Sequence, residues 1–388
     1  MTALLVLIYL AFISLGLPDS VLGSAWPSMH GTLGVPISVA GVVSMIITGG
    51  TIISSLNSAR LLRRFGTGKV TLVSVGMTAF ALLGFSISRN FYLVCLMAVP
   101  LGLGAGSVDS ALNHFVAMHF KASHMSWLHS FWGVGATLGP VIMSSFILKA
   151  GGWQSGYRAI GLIQLSLAIV LLIALPLWKQ AKETPAPRRE GEAKGLSLLQ
   201  VLRLPKALPA IGTFFFYCSL ESTVGLWGAS YLVLYRGIAK DTAALWIALY
   251  YGGITLGRML GGFLSLIVPQ RKMIYLGLSG IVMGIICLLF PLEPVLLAGL
   301  FLIGLGCAPI FPAMLHETPR TFGDEHSGSL IGVQMAGAYL GSTMMPPLFG
   351  LLGALMGYGI MPAVLSLFFA LMLTMIIKVY AGRKVIPL

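Results

Sequence analysis

Apolar runs of about 20 residues, the length a helix needs to cross a hydrocarbon core about 30 Å thick, recur along almost the whole chain. Twelve such runs are centred near residues 14, 48, 78, 105, 137, 168, 220, 254, 281, 305, 340 and 368. Charged residues make up 9% of the sequence, whereas a typical soluble domain carries about 25%. The sequence therefore predicts an all-α integral membrane protein with twelve transmembrane helices.

The positions of the basic residues predict the orientation of the chain in the membrane. With the N-terminus in the cytoplasm, 19 of the 24 lysines and arginines fall in cytoplasmic segments, as the positive-inside rule requires. The five exceptions are Arg89, Lys149, Arg158, Arg236 and Lys240. We therefore expect a multi-pass protein of the cell membrane with both termini cytoplasmic. The net charge of +13 forms no continuous basic face, so the expected partner is the lipid bilayer and not a nucleic acid.

One polar segment divides the chain into two sets of six spans. It reads KQAKETPAPRREGEAKG, residues 179–195, and its prolines and charges are typical of a linker. We therefore predict an N-terminal six-helix bundle at residues 1–179, a cytoplasmic linker at 180–203 and a C-terminal six-helix bundle at 204–388.

The two halves share a sequence pattern at an offset of about 202 residues. At this offset a Gly-Leu-Gly at residues 102–104 meets another at 304–306, and Asp19 meets Glu221. Parallel repeats of this kind place a solute site between the two halves near the middle of the membrane. The pattern predicts two pseudo-symmetric bundles.

Two basic segments follow equivalent spans and carry a family resemblance. ARLLRRFGTGK follows the second span, and GRMLGGFLSLIVPQRK is its counterpart after the eighth. Over its full length the chain resembles the major facilitator superfamily, although Arg63 stands where the family usually has Asp. The resemblance implies a functional monomer that works by alternating access, with a conformational motif in the cytoplasmic loops. Its residues here are Arg63, Arg64, Gly66, Gly257 and Arg258.

Within that superfamily the chain is most similar to the sugar-proton symporters of the fucose permease kind. The stretches that carry this likeness are GLPDS, GLGAGSVDSALN, WLHSFWGVGATLGP and ESTVGLW. The likeness implies proton coupling and sugar contact at acidic residues of the first and fourth helices. Asp19 and Asp109 are the matching positions.

Asp109 lies in an apolar span, where a charge costs about 2.5–3.5 kcal/mol or more, so a function is the first interpretation. It shares a helical stripe with Gly102, Gly106 and Asn113, which faces other protein and not lipid. The pseudo-equivalent residue in the second half is Phe311, so packing symmetry does not require a carboxylate. The alternative is a neutral, hydrogen-bonded Asp109 that only joins two helices. The candidate proton-coupling residues are Asp19, Asp109, Glu221 and His129.

Aromatic and amide side chains near the spans are candidates for solute binding. An aromatic ring can contact the C–H face of a sugar, while amides and carboxylates accept or donate hydrogen bonds at its hydroxyl rim. The candidate substrate-binding residues are Asn113, Trp132, Tyr217, Trp227, Tyr250 and Gln334.

Two functions fit these patterns. The first is proton-coupled symport of a small polar solute, such as a monosaccharide, and the second is proton-coupled efflux of drugs or other small molecules. The stretch GATLGP, residues 135–140, resembles the helix 5 signature of drug antiporters but also occurs in sequences like the fucose permease. The polar stripe in helix 2 favours the polar solute; its residues are Ser44, Thr48, Thr51 and Ser55.

An enzyme is not expected, because the sequence has no phosphate loop and no polar segment long enough for a catalytic domain. The four cysteines lie in apolar spans without metal-ligand spacing, so we expect neither a metal site nor a cofactor. They are Cys95, Cys218, Cys287 and Cys307. Protons are the expected coupling ion, and sodium stays an alternative because a carboxylate beside backbone carbonyls suits either ion.

Overall fold

A computed structural model describes residues 2–120, 122–149, 151–180, 196 and 198–381. Within this part of the chain all regular secondary structure is helical, as predicted. The N-terminal half contains α1 Thr2–Asp19, α2 Val21–Thr32, α3 Ala40–Phe65, α4 Thr67–Ile87, α5 Phe91–His119, α6 Ala122–Ile147, α7 Gly152–Ile173 and α8 Leu175–Gln180. The C-terminal half contains α9 Leu198–Arg203, α10 Ala207–Leu234, α11 Lys240–Leu264, α12 Gln270–Cys287, α13 Glu293–Phe322, α14 Asp324–Met356 and α15 Met361–Tyr380.

These helices make twelve crossings of the membrane. Ten segments among the described residues are long and apolar enough to span it on their own, and α1 and α2 together form the first of them. The other two crossings are α10, with 28 residues, and α12, with 18 residues. At 1.5 Å per residue, both are long enough to cross a hydrocarbon core about 30 Å thick with little or no mismatch. The predicted twelve-helix architecture is confirmed.

The first crossing is interrupted at Ser20, between α1 and α2. Pro18 lacks a backbone N–H, and Gly16 brings α1 against the backbone of α6 near Trp132, where a Cβ would not fit. The interruption matters for function because it directly follows Asp19, the last residue of α1 and a candidate proton-coupling residue.

Because consecutive long helices alternate in direction, the molecule has two membrane faces. We call the face with Thr2, the α3–α4 connection and Ala381 the terminal face. Lys206 Nζ donates to the carbonyl of Ala381 at 2.5 Å, which places the C-terminal end of α15 beside the start of α10. The opposite face, with the short helical turn Ile37–Val39 and the α10–α11 connection, is the hairpin face.

The two halves meet closely on the hairpin side. Gly23 of α2 lies against the backbone of Gly225 and Leu226 in α10, and a Cβ there would be 2.8 Å from Leu226 Cα. Gly41 of α3 lies against Pro347 of α14, where a Cβ would be 2.6 Å from Pro347 Cα. These glycine contacts close the space between the halves on the hairpin face, because only a residue without a side chain fits there.

A third contact, between α6 and α11, joins the halves along most of their length. Near the hairpin face, Ser144 Oγ donates to the carbonyl of Asp241 at 2.8 Å. At the middle of the helices the Oγ1 atoms of Thr137 and Thr255 are 3.2 Å apart. Towards the terminal face the rings of Trp127 and Phe263 pack edge to face, with centroids 6.5 Å apart. This pair of helices therefore holds the halves together at all depths.

Most of the predicted linker, 180–203, lies outside the described residues. Its last part is the short helix α9, and the backbone N–H of Leu196 donates to Ser329 Oγ of α14 at 3.0 Å. The linker boundaries and the two-bundle division stay predictions.

The predicted loop-motif residues occupy different environments. Arg63 and Arg64 are exposed at the end of α3, and Gly66 makes the turn to α4 with a φ of 76°. Gly257 lies inside α11 and lets that helix approach α13, because a Cβ would be 2.5 Å from Ala308 Cβ. Only the first three of these residues lie at a helix connection.

Candidate functional site

A cavity of about 430 Å³ lies between the two halves. Its size falls within the range of about 300–1,000 Å³ that is usual for small-molecule sites. Its polar and ionisable lining comes from both halves: Asp19, Ser44, Thr48, Thr51, Asp109, His129, Trp132, Tyr217, Cys218, Glu221, Ser222, Tyr251, Arg258, Tyr339 and Ser342. All four predicted proton-coupling residues therefore line one cavity, together with two predicted substrate-binding residues, Trp132 and Tyr217.

Asp19 is exposed to the cavity and is held by a single side-chain partner. The indole N–H of Trp132 donates to Asp19 Oδ2 at 2.7 Å, a distance typical of a hydrogen bond to a charged acceptor. Trp132 can reach this position because Gly16, one turn before Asp19, lets α6 pack directly on α1. The second carboxylate oxygen is left to face the cavity.

Arg258 of α11 approaches the Trp132 ring from the C-terminal half. Its guanidinium carbon is 4.8 Å from the centroid of the Trp132 ring, within the distance of a cation–π interaction. Its Nη2 atom is 3.8 Å from Glu221 Oε1, and the two side chains are 22% and 18% exposed. The order Asp19, Trp132, Arg258, Glu221 thus runs from one half of the protein to the other.

Asp109 is half-buried on α5 and is bonded within its own helix. Asn113 Nδ2 donates to Asp109 Oδ1 at 2.9 Å and to the Asp109 backbone carbonyl at 3.0 Å. Asn113 does not line the cavity, so its position supports Asp109 and gives it no direct solute contact. Among the described residues, neither Asp19 nor Asp109 has a lysine or arginine within ion-pair distance.

Two further cavity residues have partners that limit what they can do. His129 lines the cavity one turn before Trp132, and its ring packs edge to face on Phe12 with centroids 5.9 Å apart. The hydroxyl of Tyr217 donates to the backbone carbonyl of Cys307 at 3.0 Å. Tyr217 therefore presents its ring to the cavity, while its hydroxyl is already used within the C-terminal half.

Three predicted substrate-binding residues lie away from the cavity. Trp227 is fully buried, and its indole N–H donates to the carbonyl of Pro346 at 2.7 Å. The hydroxyl of Tyr250 donates to the backbone carbonyl of Glu221 at 3.0 Å. Gln334 is buried and accepts a hydrogen bond from Thr318 at 3.1 Å. In this structure all three join helices of the C-terminal half to each other, so we no longer assign them to the solute.

Arg258 is a cavity residue that the sequence interpretation assigned to a cytoplasmic loop. It was grouped with the cytoplasmic loop because it precedes a basic segment, but α11 continues to Leu264 and carries Arg258 inside the membrane region. Tyr251, Thr255 and Arg258 are spaced i, i+4 and i+7, so they share the helix face that meets the N-terminal half. That spacing was the signal that could have identified Arg258 as a site residue.

The charges of the cavity define what it can bind and move. Three carboxylates face one guanidinium, and only Glu221 is close enough to pair with it. Two carboxylates without basic partners can take up and release protons from water in the cavity, and each is neutral when it carries a proton. Among the described residues no group of three His, Cys, Asp or Glu side chains could hold a metal ion.

Comparisons with known proteins give a consistent assignment. The chain is similar to the glucose/mannose transporter GlcP of Bacillus subtilis (strain 168), with 24% identity over 312 residues, or 79% of this chain and 77% of that protein. It is also similar to a putative glucose/galactose transporter of Helicobacter pylori (strain ATCC 700392 / 26695), with 25% identity over 287 residues, or 68% of this chain and 66% of that protein. Both relatives are named as transporters and not as enzymes.

The fold is similar to that of the nucleoside transporter NupG, with a TM-score of 0.75 over 97% of this chain and 99% of that one, at 13% sequence identity. At this identity the likeness concerns the fold alone. The Major Facilitator Superfamily model matches the sequence twice, at residues 8–234 and 209–386. The chain is therefore a multi-pass membrane transporter that belongs to the Major Facilitator Superfamily.

Proposed function

We propose that this transporter moves a monosaccharide together with protons, by symport and alternating access. The observation that carries the proposal is the cavity itself. It brings Asp19 and Asp109, both without a basic partner among the described residues, to the same space as the ring of Trp132. A proton site and a surface suited to a sugar therefore lie side by side between the two halves.

The lining chemistry supports a sugar. The rings of Trp132 and Tyr217 offer flat faces for the C–H groups of a pyranose, and such contacts need no charge on the solute. Ser44, Thr48 and Thr51 of α3 also line the cavity. The Thr48 and Thr51 hydroxyls donate to backbone carbonyls, and their oxygens can still accept hydrogen bonds from sugar hydroxyl groups. The names of the two bacterial relatives, which mention glucose, mannose and galactose, point to the same class of solute.

Asp109 and Asp19 would couple sugar movement to protons. A carboxylate that faces water through the cavity can lose its proton, whereas one enclosed between the halves is favoured in its neutral form. Protons are the proposed coupling ion, no other cofactor is proposed, and Glu221 and His129 are further ionisable groups on the proton route. We propose the monomer as the working unit, because the cavity is formed within one chain.

The glycine contacts between α2 and α10 and between α3 and α14 support alternating access. They close the hairpin face in this structure, so solute exchange would take place from the terminal face. Exposed basic residues at the α3–α4 connection support a cytoplasmic location for the terminal face; they are Arg63, Arg64 and Lys69. This conformation would thus be the one that is open towards the cytoplasm.

The proposal is tested with purified protein in proteoliposomes. Uptake of labelled glucose, galactose, mannose and fucose is measured under an inwardly directed proton gradient, and separately under a sodium gradient. We expect at least one of these sugars to accumulate under the proton gradient, and a protonophore to abolish the accumulation. Accumulation driven only by sodium would contradict proton coupling. Vesicles that take up none of the four sugars but expel a cationic dye would identify the alternative, an efflux antiporter.

A further inference from the structure

The only side chain with a fixed positive charge that lines the cavity within the described residues is Arg258. It touches both halves of the protein, because it belongs to α11 and its guanidinium lies over the ring of Trp132 in α6 at 4.8 Å. At the edge of the same indole, the ring N–H donates to Asp19 Oδ2 at 2.7 Å. One aromatic ring therefore contacts both a candidate proton site and the cation.

The helices on either side of this stack are packed too closely to slide freely. Gly133, the residue after Trp132, faces Thr255, and a Cβ there would be 2.5 Å from Thr255 Oγ1. The hydroxyls of Thr137 and Thr255 are 3.2 Å apart at the same level. Arg258 is one turn from Thr255, so the guanidinium stays within reach of the ring as long as α6 and α11 keep this contact.

Arg258 has a second, looser partner in its own half. Its Nη2 atom is 3.8 Å from Glu221 Oε1, which is longer than the roughly 2.7–2.9 Å of a charge-assisted hydrogen bond. The guanidinium can therefore move towards Glu221 or towards Trp132 with small rotations of its side chain. The other titratable groups that face this space are Asp109, His129, Tyr217, Cys218, Tyr251 and Tyr339.

We propose that Arg258 is a positioning residue, which transmits the protonation state of Asp19 across the interface to Glu221 and the C-terminal half through the ring of Trp132. When Asp19 is ionised, it accepts the indole N–H and its charge attracts the guanidinium, so the cation–π contact joins the halves. When Asp19 binds a proton, that attraction is lost and Arg258 pairs more closely with Glu221. The contact opposes reorientation of a carrier that has bound solute but no proton.

The inference rests on the proposed function and is tested in the same vesicles. For each variant, downhill sugar entry without a gradient and accumulation driven by a proton gradient are measured separately. In Arg258→Gln we expect downhill entry within about threefold of wild type and a sugar accumulation ratio lowered about tenfold, the usual order of coupling between two sites. Arg258→Lys keeps the charge and the Glu221 pair but not the planar stack, so it should restore accumulation in part.

Two tryptophan variants separate the coupling role from a packing role. Trp132→Phe keeps a ring for Arg258 and for the sugar but removes the N–H that bonds Asp19, so the ratio of accumulation to downhill entry should fall, whatever the effect on entry itself. Trp227→Phe removes an indole hydrogen bond of the same length, 2.7 Å, that lies outside the cavity. We expect this control to keep the wild-type ratio of accumulation to entry, whatever its effect on the yield of folded protein.

The outcomes distinguish this inference from the function on which it rests. If wild type accumulates sugar and Arg258→Gln accumulates it equally well, the role of Arg258 is refuted and proton-coupled transport stands. Equal proportional loss of entry and accumulation in Arg258→Gln and Trp132→Phe would refute it too, since that result indicates a solute contact or a folding defect. If wild type shows no proton-driven accumulation, both proposals fail.

Discussion

Replacing Gly23 by alanine should open the hairpin face. In this structure a Cβ at Gly23 would lie 2.8 Å from Leu226 Cα and 2.9 Å from Leu226 O. Non-bonded carbon atoms are at their optimum about 3.5–4.0 Å apart, so α2 and α10 would have to separate by about 0.7–1.2 Å. Overpacking of this kind costs about 1–3 kcal/mol. The conformation closed at the hairpin face would therefore lose about 5-fold to 150-fold in population relative to one in which α2 and α10 are apart.

Labelling of a thiol in the cavity measures this change directly. Cys218 lines the cavity, so a variant that keeps Cys218 as its single cysteine reacts with a membrane-impermeant maleimide only when the cavity is open to the reagent. With reagent on the hairpin face, in intact cells, Gly23→Ala should be labelled at least about fivefold faster than its parent. Gly31→Ala is the matched control, because it lies in the same helix and a Cβ there meets no atom within 4 Å. Equal rates for the two variants would refute the idea that this glycine contact closes the hairpin face.

Three further predictions concern single side chains. Asn113→Ala removes the amide that donates to the Asp109 carboxylate at 2.9 Å, so proton-driven uptake should fall about tenfold while KM changes less than threefold. The control is His114→Ala, at an exposed position of the same helix, which should change neither uptake nor KM. Glu317→Ala removes the buried carboxylate that Arg271 and Arg320 contact at 3.3 and 3.2 Å. This change should lower the free energy of unfolding by about 1–3 kcal/mol, seen as a lower melting temperature in detergent; an unchanged value would contradict this. Arg63→Gln, exposed on the terminal face, should leave thermal stability within about 0.5 kcal/mol of wild type, and a larger loss would show a partner that the fold does not reveal.

The architecture could be predicted from the sequence because the membrane imposes it. A helix that crosses lipid must be apolar over about 20 residues, so the spans are readable without knowledge of their packing. The interruption at Ser20 was also foreseeable, since Pro18 and the flanking glycines weaken a regular helix. The position of α9 within the predicted linker was not foreseen, because six residues with mixed polarity carry no clear period.

The site residues could be predicted from the sequence only where a polar side chain inside a membrane span is energetically costly. Asp19, Asp109 and Glu221 stood out because carboxylates are rare in such segments, and all three line the cavity. Aromatic residues carry no such penalty, so the sequence could not distinguish Trp132, which faces the cavity, from Trp227, which is bonded to Pro346. That distinction depends on how each helix is rotated in its bundle.

Arg258 was misplaced for a related reason. An arginine near the end of a span is normally counted as a cytoplasmic charge, and its position seven residues after Tyr251 on one helix face is a weaker signal. Its role becomes visible only when α6 and α11 are brought together, because Trp132 and Asp19 belong to the other half of the chain.

The most direct test of the account is the proton movement that sugar itself triggers. A sugar that has been shown to accumulate is added to proteoliposomes without an imposed gradient, and the external pH is followed for wild type, Asp109→Asn and Asp241→Asn. Asp241 is the control, because it is a carboxylate at the start of α11, near the hairpin face and outside the cavity. We predict that sugar raises the external pH with wild type and Asp241→Asn but not with Asp109→Asn. A proton signal from Asp109→Asn as large as that from wild type would contradict the role of Asp109, and no signal from wild type would contradict symport.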